Sequence, residues 1–169
     1  MPRKVIFLDR DGVINKRMPK GDYVKNWKEF QFLPGSREAI AQLSKSGHEI
    51  YIISNQAGIG RGLMREGDLF EIHKRMEKEI EKHGGKLGGI YYCMHGWDDN
   101  CLCRKPKPGM LFRAAIDHQI ELANTVFVGD DKRDIQAGAV AGCRTVLMKP
   151  NGNLLEVINK FINKTNGSR

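Results

Sequence analysis

Two aspartates stand one residue apart directly after a short apolar run. Residues 5–8 read Val-Ile-Phe-Leu, and Asp9, Asp11 and Gly12 follow them. The run is too short for a helix and contains β-branched and aromatic side chains, so it predicts a buried strand. Ligands of open α/β sheets bind beyond the carboxyl ends of the strands. Because two carboxylates so close repel each other, we predict a divalent cation with oxygen ligands, such as Mg²⁺, at this position.

Three further polar clusters adjoin predicted strands and helices. They are Ser54-Asn55 after one strand, Gly129-Asp130-Asp131 with Asp134 after another, and Arg104-Lys105-Pro106-Lys107 before a helix. Together they offer carboxylates for a cation, a hydroxyl and an amide for oxygen contacts, and a lysine for phosphate. Phosphoryl transfer requires this combination of positioning and charge neutralisation. Asp134 is equally expected to cap the following helix, and the role of Asp131 is open.

Three cysteines and one histidine lie within eleven residues of one another. They are Cys93, His95, Cys101 and Cys103. This donor set suits a tetrahedral, fully protein-ligated and therefore structural Zn²⁺. The site would hold the irregular segment of about residues 93–108, and we expect activity to fall when zinc is removed. Cys143 stands apart and is expected to be a small buried apolar residue.

Strand and helix signals alternate along the chain, which predicts an α/β fold with a doubly wound parallel sheet. We expect a single domain over residues 1–163 and a flexible tail over 164–169. Strands are predicted at 5–8, 49–53, 90–93, 125–128 and 145–148, and helices at 37–46, about 68–83, 109–118, 134–141 and 154–162.

Composition excludes some classes of protein and leaves one alternative open. No apolar stretch approaches the roughly 20 residues that span a bilayer. The early first strand leaves no room for a signal peptide, so a cytoplasmic protein is expected. The net charge of +8 suggests a nucleic-acid-binding module. Its basic residues are scattered and lack a stacking motif, so we favour a small anionic substrate and expect a monomer.

The four polar clusters, in this order, resemble the haloacid dehalogenase superfamily over nearly the whole chain. The resemblance implies a Rossmann-like, capless fold and an Mg²⁺-dependent phosphatase. It implies that Asp9 is the nucleophile, which forms an aspartyl-phosphate, and that Asp11 is the general acid and base. Asp9, the backbone carbonyl of Asp11 and Asp130 would hold Mg²⁺, while Ser54 and Lys105 would bind the transferring phosphoryl group.

The zinc loop narrows the resemblance to two families within that superfamily, the heptose bisphosphate phosphatases and the histidinol phosphate phosphatases. Most motifs favour the first, and the short gap between His95 and Cys101 favours the second. The resemblance implies substrate contacts at Asn55, Gln56, Ala57, Arg61, Arg104 and Asp131, with residues 18–22 at the mouth of the site. A second phosphate would need further cations, and the candidates are Arg61, Arg104, Lys107 and Lys132. A cationic histidinol would need an acidic rim, for which the candidates are Asp98, Asp99 and Asp131.

Overall fold

A five-stranded parallel sheet forms the centre of the protein. The computed structural model describes residues 3–166. The strands are β1 (Lys4–Leu8), β2 (His48–Asn55), β3 (Gly89–Cys93), β4 (Thr125–Gly129) and β5 (Arg144–Leu147), in the spatial order β3-β2-β1-β4-β5. The chain builds the sheet outward from β1 in one direction and then returns to the other side of β1 with β4. The strand order therefore reverses beside β1, which is where α/β folds bind their ligands.

Five helices cover the two faces of the sheet, and all five were predicted. They are α1 (Ser36–Lys45), α2 (Glu66–Lys82), α3 (Gly109–His118), α4 (Lys132–Ala141) and α5 (Leu154–Asn166). Three helices begin one or two residues earlier than predicted. Helix α1 begins at Ser36, an Arg65–Asp68 box opens α2, and Asp131 caps α4. Helix α5 runs into the predicted tail, and residues 167–169 lie outside the described part of the chain.

The central strands are apolar on both faces because both faces are covered by helices. Ile6, Leu8 and Ile52 point into a core shared with α1, α2 and α5. Phe7 and Ile53 point the other way, into a core shared with α3 and α4. Strand β1 is therefore buried along almost its whole length, as expected for a parallel sheet.

The connections at the carboxyl edge of the sheet are loops rather than a second domain. Between β1 and α1 the chain forms one short 3₁₀ turn, Trp27–Glu29, and the β2–α2 connection contains no helix among the described residues. The fold is therefore a capless α/β core. Within residues 3–166, no helix has the length and apolarity needed to cross a membrane.

Candidate active site

Asp9 and Lys105 meet at the floor of a cleft beyond the end of β1. Lys105 Nζ lies 3.0 Å from Asp9 Oδ1 and 2.6 Å from Asp134 Oδ1, and it donates to the Ile53 carbonyl at 2.8 Å. These three contacts match the three donors of an ammonium group. The backbone N–H of Arg10 donates to the same oxygen of Asp9 at 2.7 Å. Two donors thus fix the orientation of the Asp9 carboxylate.

Asn55 holds the backbone of Lys105 in place. Its Nδ2 donates to the Lys105 carbonyl at 3.1 Å, and its Oδ1 accepts from the Lys105 N–H at 3.0 Å. This double hydrogen bond ties the end of β2 to the loop before α3. Asn55 also lines the cleft, so the residue predicted to contact substrate additionally positions the lysine.

Asp130 and Asp134 bring two more carboxylates to the floor. One oxygen each from Asp9, Asp130 and Asp134 lie within 4.8 Å of one another. Asp134 Oδ2 accepts from the backbone N–H groups of Asp130 and Asp131, both at 3.1 Å, while its Oδ1 pairs with Lys105. Both oxygens of Asp134 therefore already have strong partners. The sequence predicted Asp134 as a candidate N-cap, but the N-cap of α4 is Asp131, and Asp134 completes the capping box from position N3.

Gly12 is needed beside Asp130 for two reasons. Its φ of +86° lies in the left-handed region, and a Cβ built there would stand 1.9 Å from Asp130 Oδ2. The backbone of residue 12 and the Asp130 carboxylate are thus in direct contact. This contact keeps Asp130 next to the turn that contains Asp9 and Asp11.

Asp11 is surrounded by donors that differ from those around Asp9. Its Oδ1 accepts from Arg10 Nη2 and Asn15 Nδ2, both at 2.9 Å, and its Oδ2 accepts from Gln56 Nε2 at 2.8 Å. Gln56 Nε2 also contacts the hydroxyl of Ser54 at 2.8 Å. Ser54 and Gln56 are fully buried, so in this structure they support Asp11 from behind and do not line the cleft.

These partners move the pKa values of the two aspartates in opposite directions. Burial and the nearby Asp134 and Asp130 carboxylates raise the pKa of Asp9, and Lys105 only partly opposes them. Burial also acts to raise the pKa of Asp11, but the Arg10 guanidinium and the hydrogen bonds from Asn15, Arg10 and Gln56 outweigh it and lower that pKa. Divergent pKa values in a neighbouring pair are typical of groups with separate roles.

The donor set at the floor fits a hard divalent cation. Burial raises the pKa of Asp130, and Arg17 only partly opposes this effect. A further cation would favour the ionised form of this carboxylate. Carboxylate oxygens near a backbone carbonyl are the ligands that Mg²⁺ prefers. Of the three clustered carboxylates, Asp9 and Asp130 are the ones that fit this role, because Asp134 is already occupied.

The cleft is large enough for a small metabolite. Its volume is about 660 Å³, within the usual range for small-molecule sites. Residues 17–24 form one wall, which includes the predicted mouth segment 18–22. Of the predicted substrate contacts, those that line the cleft are Asn55, Ala57, Arg104 and Asp131. Arg104 Nη1 is buried without a hydrogen-bond partner among the described residues, so it has a donor to offer a ligand.

Other predicted contacts lie elsewhere. Arg61 stacks over Trp97 at 4.0 Å and donates to the Gly21 carbonyl, so it joins the mouth segment to the zinc loop instead of lining the cleft. Lys107 donates to the Cys101 carbonyl at 2.8 Å within that loop. Lys132 is exposed and outside the cleft. The acidic-rim candidates Asp98 and Asp99 are also outside it.

Four side chains of the zinc loop converge as predicted. Ligand atoms of Cys93, His95, Cys101 and Cys103 all lie within 4.8 Å of one another. Cys93 Sγ is 3.6 Å from Cys101 Sγ and 3.1 Å from Cys103 Sγ, and His95 Nδ1 is 3.2 Å from Cys103 Sγ. A tetrahedral Zn²⁺ separates such ligand atoms by roughly 3.3–3.8 Å, and two of these three distances fall slightly short of that range. No cysteine is in a disulfide bond among the described residues, so the four donors fit zinc.

Sequence reasoning missed four residues of the site. Arg10 is completely buried between Asp11 and His73, with its Nη1 3.0 Å from His73 Nε2. Arg17 and Arg133 both contact Asp131 on the wall of the cleft. The position of Arg10 between the two aspartates was an available signal. The other three come from segments whose proximity only the fold reveals.

Comparison with known proteins identifies the family. A family model described as HAD-hydrolase-like matches residues 102–160. A D-glycero-beta-D-manno-heptose-1,7-bisphosphate 7-phosphatase from Pseudomonas putida is 45% identical over 146 residues, which cover 86% of this chain and 82% of that protein. The chain belongs to the D,D-heptose bisphosphate phosphatase family of the haloacid dehalogenase superfamily.

Two further members of this family extend the comparison. A D-glycero-alpha-D-manno-heptose-1,7-bisphosphate 7-phosphatase from Campylobacter jejuni is 37% identical and covers 97% of this chain and 99% of its own length. The crystal structure of the D,D-heptose 1,7-bisphosphate phosphatase from B. bronchiseptica, complexed with magnesium and phosphate, matches with a TM-score of 0.89 and 36% identity. The match covers 95% of this chain and 99% of that one. The predicted superfamily, the α/β fold and the class of phosphoric monoester hydrolase are confirmed.

Proposed function

We propose that this phosphatase removes the 7-phosphate of D-glycero-D-manno-heptose 1,7-bisphosphate. The observation that carries the proposal is the Asp9–Lys105 pair at the floor of a cleft whose walls carry several cations. Six aspartates also line this cleft, so an anionic sugar phosphate suits it by charge when a divalent cation is bound. Similarity to heptose bisphosphate phosphatases of both anomeric specificities supports the substrate class and leaves the anomer open.

We propose that Asp9 attacks the phosphorus of the substrate. The Asp9–phosphorus bond forms while the bond to the sugar oxygen breaks, which gives an aspartyl-phosphate. Asp11 lines the cleft, so it is placed to protonate the departing sugar oxygen. The arriving phosphate favours the protonated form of Asp11 because like charges repel. Asp11 then takes a proton from water, which attacks the phosphorus, releases inorganic phosphate and restores Asp9.

Other residues hold charge in place during these steps. Lys105 is proposed to neutralise the phosphoryl oxygens. Ser54, which was predicted to bind the phosphoryl group, is instead proposed to hold Gln56 behind Asp11. A bound Mg²⁺ would supply further neutralisation of the phosphoryl charge, held by Asp9, Asp130 and the backbone carbonyl of Asp11. Asp134 is proposed to position Lys105 and the turn at Asp130, since both its oxygens are engaged there.

We propose one catalytic domain over residues 1–163, since both cores share the single sheet. We propose a monomeric, cytoplasmic enzyme. Size-exclusion chromatography with light scattering tests the oligomeric state.

The test of substrate compares kcat/KM for heptose 1,7-bisphosphate, in both anomers, with that for histidinol phosphate, in the presence of Mg²⁺. We expect the heptose bisphosphate to be preferred by at least about 100-fold, because a cationic amine would face the arginines of the cleft. A preference for histidinol phosphate would contradict the proposal. Salt-sensitive binding of DNA or RNA without phosphatase activity would instead favour the nucleic-acid-binding module.

A further inference from the structure

Two arginines from distant segments share one carboxylate on the wall of the cleft. Arg17, from the loop after β1, places Nη2 3.4 Å from Asp131 Oδ2. Arg133, from the first turn of α4, places Nε 3.0 Å from Asp131 Oδ1 and Nη2 3.1 Å from Oδ2. Arg17 Nη1 also reaches Asp130 Oδ2 at 3.2 Å. At Asp131 the trio has one more positive than negative charge.

Hydrogen bonds to their backbone N–H groups hold the two arginines in place. Asn151 accepts from the backbone N–H of Arg17 at 2.8 Å, and Asp131 accepts from the backbone N–H of Arg133 at 2.9 Å while it caps α4. Each guanidinium has five N–H donors. Because Asp131 takes only some of these donors, both arginines retain the capacity to bind a second anion. Both side chains line the same cleft as Asp9 and Lys105.

We infer that Arg17 and Arg133 bind the phosphate group of the substrate that is not hydrolysed. This inference rests on the proposed function, since it requires a bisphosphate. Guanidinium groups recognise phosphate through paired donors of the kind that Asp131 now occupies. Asp131 spaces the two arginines and offsets part of their charge. Asp131 therefore positions the two arginines, and it does not serve as a counter-ion for a cationic substrate.

Three of the other cations considered from the sequence are less suitable. Arg61 stacks on Trp97, Lys107 is bonded within the zinc loop and Lys132 lies outside the cleft. Arg104 lines the cleft with an unpaired Nη1, so it can contribute a further donor from the loop of Lys105. Arg17 and Arg133 thus provide a cationic wall that is formed by segments other than the loop of Lys105.

The experiment compares heptose 1,7-bisphosphate with heptose 7-phosphate as substrates of the Mg²⁺-loaded enzyme. The variants are Arg17→Gln, Arg133→Gln and the double variant. Lys132→Gln is the matched control, since it removes the same charge from the neighbouring exposed position. Each arginine variant is expected to lose about tenfold more in kcat/KM for the bisphosphate than for the monophosphate. Arg17→Gln should also lower both values, because Arg17 contacts Asp130. The double variant should lose most of the preference, and the control should keep it.

The ratio of the two kcat/KM values separates recognition of the second phosphate from a structural role. Equal losses on both substrates, or no loss on either, would overturn the inference, even for variants with unchanged thermal stability. Arg133→Lys is expected to restore part of the preference, because it returns the charge without the paired donors. If the wild-type enzyme hydrolysed neither sugar phosphate, both the proposed function and the inference that rests on it would be overturned.

Discussion

Single residues determine the different surroundings of the two aspartates after β1. Asp9 faces Lys105 and the carboxylates of Asp130 and Asp134, whereas Asp11 faces Arg10 and two side-chain amides. The spacing of Asp9 and Asp11 places both in one turn. Their different neighbours shift their pKa values in opposite directions. A single atom also matters here, because the close contact between Gly12 and Asp130 depends on the absence of a Cβ at residue 12.

Replacing Gly12 by alanine should weaken Mg²⁺ binding. The new Cβ would overlap Asp130 Oδ2 and displace the carboxylate. We expect the Mg²⁺ concentration for half-maximal activity to rise by about tenfold or more, as expected when a metal-binding carboxylate is displaced. A titration of activity against Mg²⁺ measures this change.

Gly47→Ala is the matched control for Gly12→Ala. Gly47 has a similar φ of +79°, but a Cβ added at this position would meet no other atom within 4 Å. The control should cost about 1 kcal/mol of stability from backbone strain and leave the Mg²⁺ dependence unchanged. Equal Mg²⁺ dependence in both variants would show that strain, and not contact with Asp130, decides the effect.

At the scale of elements, loops and helices hold the site from behind. Asn55 joins the end of β2 to the loop of Lys105, and Arg61 joins the mouth segment to Trp97 of the zinc loop. Helix α2 contributes His73, which contacts the buried Arg10. The geometry of the reacting groups therefore depends on segments that do not themselves line the floor of the cleft.

Loss of zinc should lower activity through the loop that holds Lys105. We expect Cys101→Ser to abolish the binding of about one zinc per chain, to change the fluorescence of Trp97, and to reduce kcat/KM by at least about tenfold. Metal analysis, fluorescence and kinetics measure these effects. Cys143→Ser is the control, because Cys143 packs in the α3–α4 core and belongs to no metal cluster among the described residues. Full activity of zinc-free Cys101→Ser would contradict this role of the loop.

His73 should make the protein less stable in mild acid. Burial and the adjacent Arg10 lower the pKa of His73 to about 3, from an ordinary value of 6.5. Below pH 6.5 the unfolded chain therefore binds a proton that the folded protein excludes, so stability falls as the pH falls towards 3. At about pH 5 the contribution lost is about 2 kcal/mol.

His73→Gln tests this contribution. Urea unfolding at about pH 7.5 and about pH 5 should show a drop in the free energy of unfolding that is about 2 kcal/mol larger in the wild type than in the variant. The comparison uses the difference between the two pH values, so a general loss of stability in the variant does not affect it. An identical drop in both proteins would contradict the lowered pKa.

At the scale of the whole molecule, the sequence was sufficient for the parts that depend on local pattern. The strand–helix alternation predicted the sheet and five helices, and strand ends followed by polar residues predicted that Asp9, Asn55 and Asp130 share one edge. It could not predict that Gln56 supports Asp11 from behind, or that Arg17 approaches Arg133. These contacts join segments far apart in the chain, and their existence depends on how the loops pack.

The charge of the catalytic cleft depends on a bound cation. The net charge of +8 is spread over the surface. The cleft is lined by five cations and by six aspartates. The five cations are Arg17, Lys20, Arg104, Lys105 and Arg133. A bound Mg²⁺ would add two positive charges to this lining, and positive charge in a concave site raises the local concentration of an anion.

The most direct test of the central claim follows heptose 1,7-bisphosphate by phosphorus NMR with the Mg²⁺-loaded enzyme and with Asp9→Asn. The wild type should release inorganic phosphate from the 7-position and leave the 1-phosphate resonance in place. Folded Asp9→Asn should release none, because an amide cannot form the aspartyl-phosphate. Release of the 1-phosphate, or turnover by Asp9→Asn at the wild-type rate, would contradict the claim.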